Sequence, residues 1–235
     1  MSDIYSRTKM VFGEAAVECL KRKKVCVFGI GGVGGYVAEA LARTGVGSLV
    51  LVDFDRVCGS NLNRQIFCTE ETIGMLKVDA AKKRLLSINS KMTVECKALL
   101  FSPDTSGELD FDEFDYVVDA IDMVSGKLEI IEKSIEKGVG VISSMGTGNK
   151  TDPTAVKIAD IYQTVMCPLA RVMRRELRKR GIDRLKVAYS EETPIKSQEQ
   201  AETVGKRPVP GSAVFVPAAA GIAIAAEVVK DLIKA

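Results

Sequence analysis

The chain contains no histidine and no tryptophan among its 235 residues. The first absence removes the side chain that most often moves protons at neutral pH and binds metals, so no His-based acid–base or metal site is open to it. Its six cysteines stand at 19, 26, 58, 68, 96 and 167, and no two form a C-x-x-C pair. Scattered thiols of this kind fit reduced cysteines, not a disulfide scaffold; Cys26 lies in an apolar run, where a free thiol acts as a small hydrophobe. A large charge excess is also missing, since 33 Lys and Arg face 31 Asp and Glu for a net of +2. Any attraction for a polyanion must therefore be local. The opening MSDIYSRTKM has no basic-then-apolar leader, from which a cytoplasmic location is expected. The apolar segment AAAGIAIAAEVV from Ala218 meets Glu227 before the roughly 20 residues that a membrane span needs. A buried or interface helix is expected there, with no membrane span.

What is present begins with residues 25–65, VCVFGIGGVGGYVAEALARTGVGSLVLVDFDRVCGSNLNRQ. An apolar run at 25–28 enters a glycine cluster at Gly29, Gly31, Gly32 and Gly34. A helical pattern through Ala38, Leu41 and Ala42 follows, and a second apolar run at 49–52 ends in Asp53. A strand, tight turn, helix, strand unit with glycines at the turn suits a nucleotide: the backbone can approach a phosphate chain, and the helix N-terminus offers free N–H groups. Asp53, at the tip of the second strand, is placed to accept ribose hydroxyls. Glycine turns of this kind mostly mark NAD or FAD sites. Here, however, Asp55, Asn61, Arg64, Gln65 and then Lys77 follow. A dehydrogenase leaves the pyrophosphate intact and has no use for Arg64 and Lys77 near it. An enzyme that cleaves ATP must neutralise a triphosphate and its leaving group.

Downstream, the pattern predicts a mostly parallel sheet with helices on both faces. Residues 2–23 read as one or two helices with apolar positions at Val11, Ala15, Val17 and Leu20, and residues 68–86 as a turn and a helix carrying Lys77. Strands are expected at 93–99, 116–122 and 138–144, with an added strand at 155–161, a short one at 185–189 and a closing one at 212–216. Residues 102–112 read as a surface loop, 124–137 as an amphipathic helix and 218 onward as a packed helix with Pro217 at its start. The run YVVDAID ends in acids, as a buried parallel strand does at its ligand-binding edge. Of its two aspartates we favour Asp122 over Asp119 as the functional one. The alternative role for Asp122, capping the next helix, can be filled by Ser125. The loop Gly146-Thr147-Gly148-Asn149 is placed to border the site. In residues 168–180, Leu169, Val172, Met173 and Leu177 share one helical face, while Arg171, Arg174, Arg175 and Arg178 recur on another, with only Glu176 interrupting. Such a face is either solvated or meets an anionic partner, and unpaired like charge favours a phosphodiester backbone. Residues 190–211 are either a loop over the site, with Lys196, Lys206 and Arg207 available to RNA, or a plain linker.

The segments GIGGVG, DFDRV and SNLNRQ, with Lys77 and Asp122, resemble the ubiquitin-activating-enzyme-like superfamily of ATP-dependent adenylating enzymes. The opening SRTKMVFGEAAVECLKRKKV, the middle CPLARVMRRELRKRGI and the closing GSAVFVPAAAGIAIAAEVVKDLI resemble one branch, the tRNA threonylcarbamoyladenosine dehydratases. The resemblance implies an α/β, Rossmann-like, doubly wound fold with a C-terminal strand–helix extension. It implies one ATP-binding adenylation domain over 1–235, comprising an N-terminal helical segment at 1–23 and a basic helix and crossover loop at 163–211. It assigns catalysis to Arg64, Lys77 and Asp122, with magnesium on Asp122. ATP contacts fall to Gly29, Gly31, Gly32, Gly34, Asp53, Asp55, Asn61, Arg64, Gln65, Lys77 and Arg7; Arg7 reads otherwise as a solvated helix-start residue. It implies tRNA contacts at Arg171, Arg174, Arg175 and Arg178, a homodimer, and leaves open a sulfur-transfer protein partner. Sulfur-carrier activators in the same superfamily commonly hold zinc with two C-x-x-C pairs, which this chain lacks. Cys167, where ubiquitin-activating relatives can carry a thioester cysteine, stays unassigned.

The expected reaction joins a carboxylate to AMP with release of pyrophosphate. A carboxylate is already ionised at neutral pH, so no general base is needed and the missing histidines are no obstacle. Adenylation of a sulfur-carrier C-terminus is the alternative. A nicotinamide oxidoreductase and a non-enzymatic nucleotide sensor remain further ones, each leaving Arg64 and Lys77 with less to do.

Overall fold

A computed structural model describes residues 3–196, 203–204, 207–208 and 210–234. In chain order the elements are α1 (Ser6–Phe12), α2 (Glu14–Leu20), β1 (Lys24–Phe28), α3 (Gly34–Thr44), β2 (Ser48–Val52), α4 (Lys77–Ile88), β3 (Thr93–Lys97) and β4 (Tyr116–Asp119). There follow α5 (Val124–Glu136), β5 (Gly140–Ser144), β6 (Val156–Asp160), α6 (Pro168–Lys179), β7 (Lys186–Ser190), the short pair β8 (Thr203–Val204) and β9 (Arg207–Pro208), and α7 (Phe215–Lys234). Seven strands form one sheet in the order β3-β2-β1-β4-β5-β7-β6. All neighbours are parallel except β6, which runs antiparallel to β7. The chain winds outward from β1 to β3, then returns to place β4 on the other side of β1. That reversal opens a crevice at the carboxyl ends of β1 and β4.

The central strands are apolar on both faces because both are covered. Val25, Val27, Leu49 and Leu51 pack with Val37 and Leu41 of α3, Val78 and Leu85 of α4, and Ile224 and Val228 of α7. Cys26, Phe28, Val50 and Val117 turn the other way, onto Phe101, Phe111, Phe114 and Ile130 of α5. Met173 and Leu177 of α6 join Leu128 and Ile131 of α5 against Val187. α7 crosses α3 so closely that a Cβ on Gly221 would lie 2.6 Å from the Val33 carbonyl oxygen.

Three local expectations are corrected. Residues 212–216 are not a strand, because α7 already begins at Phe215. The first helical turn has no use for its N–H groups, so Pro217 fits at its third residue as well as at its first. The helix after β4 starts at Val124 with Met123 in the capping position and no side-chain cap, so Ser125 lies inside it. The N-terminal segment is two helices broken at Gly13, whose φ is +88°; Val17 and Leu20 are buried, but Val11 is 75% exposed and Ala15 is exposed too. Of the 190–211 loop, Lys196 is exposed, and Lys206 lies outside the described residues. Among the described residues no helix is long and apolar enough to cross a membrane.

Candidate active site

A cleft of about 540 Å³ opens at the carboxyl ends of β1, β2, β4 and β5. Its floor is the turn leaving β1. Gly29 has φ +85°, and a Cβ there would meet the Ala120 carbonyl oxygen at 2.7 Å. A Cβ on Gly34 would stand 1.8 Å from the Gly29 carbonyl oxygen. These two glycines let strand, turn and helix close on one another. Gly29, Gly31 and Gly32 line the cleft, whereas Gly34 does not. α3 begins without a side-chain cap, which leaves amide donors of its first turn to an anion.

Asp53 is 9% exposed, and both its oxygens are used. Oδ2 accepts the Ile30 N–H at 2.7 Å and Oδ1 the Asp55 N–H at 2.9 Å. Burial pushes its carboxyl above the usual range, against the pull of the Lys77 charge. Asp53 thus braces the glycine turn, while its spare lone pairs can still accept hydroxyl donors. Lys77 is 7% exposed and opens α4, the end of a helix where the macrodipole opposes a cation. It is held there by Asp55, whose Oδ2 is 2.6 Å from its Nζ. Arg64 donates from Nη1 to the Ser60 carbonyl at 2.7 Å and to Asn63 Oδ1 at 2.9 Å, and no carboxylate pairs with it among the described residues. Asn61 and Gln65 are buried beside it; Asn61 Oδ1 accepts the Cys58 N–H at 3.2 Å, and Gln65 Oε1 accepts the Cys68 thiol at 3.2 Å. Asp53, Asp55, Asn61, Arg64, Gln65 and Lys77 line the cleft.

The two aspartates of β4's end separate cleanly. Asp119 is fully buried in an ion pair with Lys127, at 2.9 Å. Asp122 is exposed and lines the cleft opposite Lys77 and Arg64. Gly146, Thr147 and Gly148 form the far wall. Pro210, from the 190–211 segment read as a loop over the site or a linker, also lines it, as do Phe54, Leu100, Leu169, Ser212 and Pro217, which the sequence does not signal as site residues. Only Phe54 carried a hint, an apolar side chain between two aspartates; the others arrive from distant parts of the chain. Arg7 is exposed on α1 and is not among the lining residues.

α6 starts at the cleft, where Leu169 forms part of the wall. Arg171, Arg175 and Arg178 are exposed, but Arg174 is half-buried. Its guanidinium donates to the Thr164 carbonyl at 2.9 Å and to the Thr164 hydroxyl, so it ties α6 to the preceding loop. Arg178 lies 5.1 Å over the Tyr162 ring. Glu176 does more than the helical pattern suggests, gathering Arg175, Lys179 and Arg180 at 3.1, 3.0 and 3.3 Å. Hydrogen bonds, first from Lys179, hold its carboxyl down at about 2.

Comparison with known proteins bears on this site. A tRNA threonylcarbamoyladenosine dehydratase from Bacillus subtilis is 39% identical over 240 residues, spanning 98% of this chain and 94% of that protein. The structure of the E. coli tRNA N6-threonylcarbamoyladenosine dehydratase in complex with ATP superposes with a TM-score of 0.88 at 29% identity, covering 98% of this chain and 93% of that one. An adenylyltransferase and sulfurtransferase uba4 from Ogataea parapolymorpha is 35% identical over 150 residues, 63% of this chain and 38% of that protein. The sequence pattern of the ThiF family matches residues 5–235, and the chain belongs to that family.

Proposed function

We propose that this protein is an ATP-dependent tRNA threonylcarbamoyladenosine dehydratase working as a single adenylation domain. The observation that carries the reading is one cleft in which a bare glycine turn, Arg64, Lys77 and Asp122 converge at the foot of a basic helix. The B. subtilis relative, similar along almost the whole chain, supports the choice of substrate.

In this reading Gly29, Gly31 and Gly32 pass beneath the phosphates, and Asp53 and Asp55 face the ribose side. Asn61, Arg64, Gln65 and Lys77 hold the triphosphate. Asp122 offers a single carboxylate; among the described residues no group of three acidic, Cys or His side chains could cage a metal. That donor set fits magnesium, which keeps several waters and takes other ligands from phosphate oxygens. Bound there, the ion would neutralise charge on the leaving pyrophosphate. The substrate carboxylate attacks the α-phosphorus of ATP, and the bond from that phosphorus to the bridging oxygen breaks. Arg64 and Lys77 stabilise the charge that accumulates on pyrophosphate. The carbamoyl group of the same nucleoside then attacks the acyl carbon, loses its proton, and AMP departs as the ring closes. The nucleoside loses one water overall. Arg171, Arg175 and Arg178 lead the anticodon arm's phosphates toward the cleft.

The protein acts as a homodimer in the cytoplasm. Ile4, Met10 and Val11 are 63%, 85% and 75% exposed, an apolar patch suited to a partner. Arg7 shares that helix, and a second copy would let it reach a cleft that it does not line in its own. The test is AMP and pyrophosphate formation from ATP and threonylcarbamoyladenosine-containing tRNA, with the modified nucleoside becoming lighter by one water. Turnover with a sulfur-carrier protein and none with that tRNA would decide for the alternative.

A further inference from the structure

We propose that Lys127, paired with Asp119, is a positioning residue that sets the distance between Asp122 and the 145–148 wall of the cleft; the inference rests on the adenylation reading above. Lys127 is completely buried in the second turn of α5. Its ammonium has three donors, and three partners take them: Asp119 Oδ2 at 2.9 Å, the Ile121 carbonyl at 2.9 Å and the Ser144 carbonyl at 2.8 Å. Asp119 in turn accepts the Ile121 N–H at 3.3 Å on Oδ1 and the Ser143 hydroxyl on Oδ2. Every partner stands at the carboxyl end of β4 or β5. Ile121 directly precedes Asp122, and Ser144 directly precedes Met145. One ammonium therefore ties together the two lips of the cleft, the one bearing the magnesium ligand and the one facing the substrate.

Stability does not account for such a group. Desolvating two charges costs about as much as their attraction returns, and apolar residues of equal volume usually serve a core at least as well. A fixed ammonium with three directed bonds does what apolar packing cannot, because it fixes the spacing of two backbones. That spacing matters where a carboxylate oxygen must approach phosphorus in line. A misplacement of about 1 Å from a residue remote from the chemistry can cost on the order of 100-fold in rate.

The experiment uses the full chain carrying Lys127→Met with Asp119→Asn, which removes both charges together and leaves no buried ion alone. Leu232→Ala is the stability control: Leu232 is buried in α7 and lines a second cavity at the opposite end of the sheet. ATP affinity by calorimetry, kcat and KM for AMP formation on threonylcarbamoyladenosine-containing tRNA, and amide exchange are read for each. The double variant is expected to keep ATP Kd and tRNA KM within about threefold while kcat falls on the order of 100-fold. Exchange should rise at both 121–123 and 144–147. Leu232→Ala should keep kcat. A double variant with near wild-type kcat overturns the proposal, as does a loss no larger than that of the control. If the double variant does not fold, Ser143→Ala loosens the same network and must lower kcat with KM unchanged; an unchanged kcat there also overturns it. Wild-type protein that makes no AMP with this tRNA sinks the dehydratase reading instead. The positioning claim is then judged by amide exchange alone, and protection at both lips equal to wild type refutes it.

Discussion

Replacing Lys77 by Met removes the ammonium and keeps most of the side-chain volume. Lys77 is 7% exposed, so a phosphate that meets it does so away from bulk water. With an effective dielectric near 20, unit charges about 4 Å apart attract by about 4 kcal/mol. Lys77 is not idle before ATP arrives, since Asp55 stands 2.6 Å away. A bound phosphate therefore shares the ammonium with an existing partner, and we take half of that figure, about 2 kcal/mol, as the net loss. At about 1.4 kcal/mol per factor of ten, kcat/KM for ATP falls roughly 30-fold. The cost in folding is smaller. The Asp55 side chain is 46% exposed and stays hydrated once its partner is gone, so stability changes by no more than about 1 kcal/mol. The assay is initial-rate AMP formation at varied ATP with saturating tRNA, alongside urea unfolding of both proteins. A drop smaller than threefold, or one explained by the unfolded fraction, refutes the placement of Lys77 on the triphosphate.

Asp122→Ala should abolish AMP formation while ATP alone still binds, with the loss not rescued by raising magnesium tenfold. Glu176→Gln frees Arg175, Lys179 and Arg180, so tRNA should bind more tightly in filter-binding assays, with a steeper dependence on salt. The same variant tests the titration of Glu176. Its carboxyl is lowered from 4.5 to about 2 in the folded state, so its contribution to stability is present above pH 4.5 and lost as pH falls toward 2. The wild-type advantage over Glu176→Gln should therefore vanish across that window in urea unfolding. Gly221→Ala places a methyl 2.6 Å from the Val33 carbonyl oxygen and should cost about 1–3 kcal/mol, read as a lower Tm, by prising α7 from α3.

The parts of this molecule that the sequence made legible are those in which a local pattern and its consequence coincide. The glycine turn with Asp53 at the next strand end lies within one strand–helix–strand unit, and the run YVVDAID is apolar until it ends in acids at its carboxyl edge. The preference for Asp122 over Asp119 rests on the family resemblance, not on any strand pattern; what the sequence could not show is that Asp119 is taken by the buried ammonium of Lys127. What stayed hidden depends on contacts between distant segments. Helical spacing put four arginines on one face but could not show that Thr164 draws Arg174 inward. The apolar run before Pro217 reads as a strand, but packing on α3 makes its end the start of α7. Ser212 and Pro217 reach the cleft because α7 returns across the sheet, which no nearby residue announces.

That return has a bearing on how the protein matures. Pro217 roofs the glycine turn, its Cβ lying 3.3 Å from where a Cβ on Gly32 would be, and it belongs to α7. During synthesis the nucleotide-binding loop leaves the ribosome nearly two hundred residues before its lid does. A nascent chain at that stage offers ATP an open ledge, so tight capture, and any premature splitting of the nucleotide, must wait until α7 has emerged and packed.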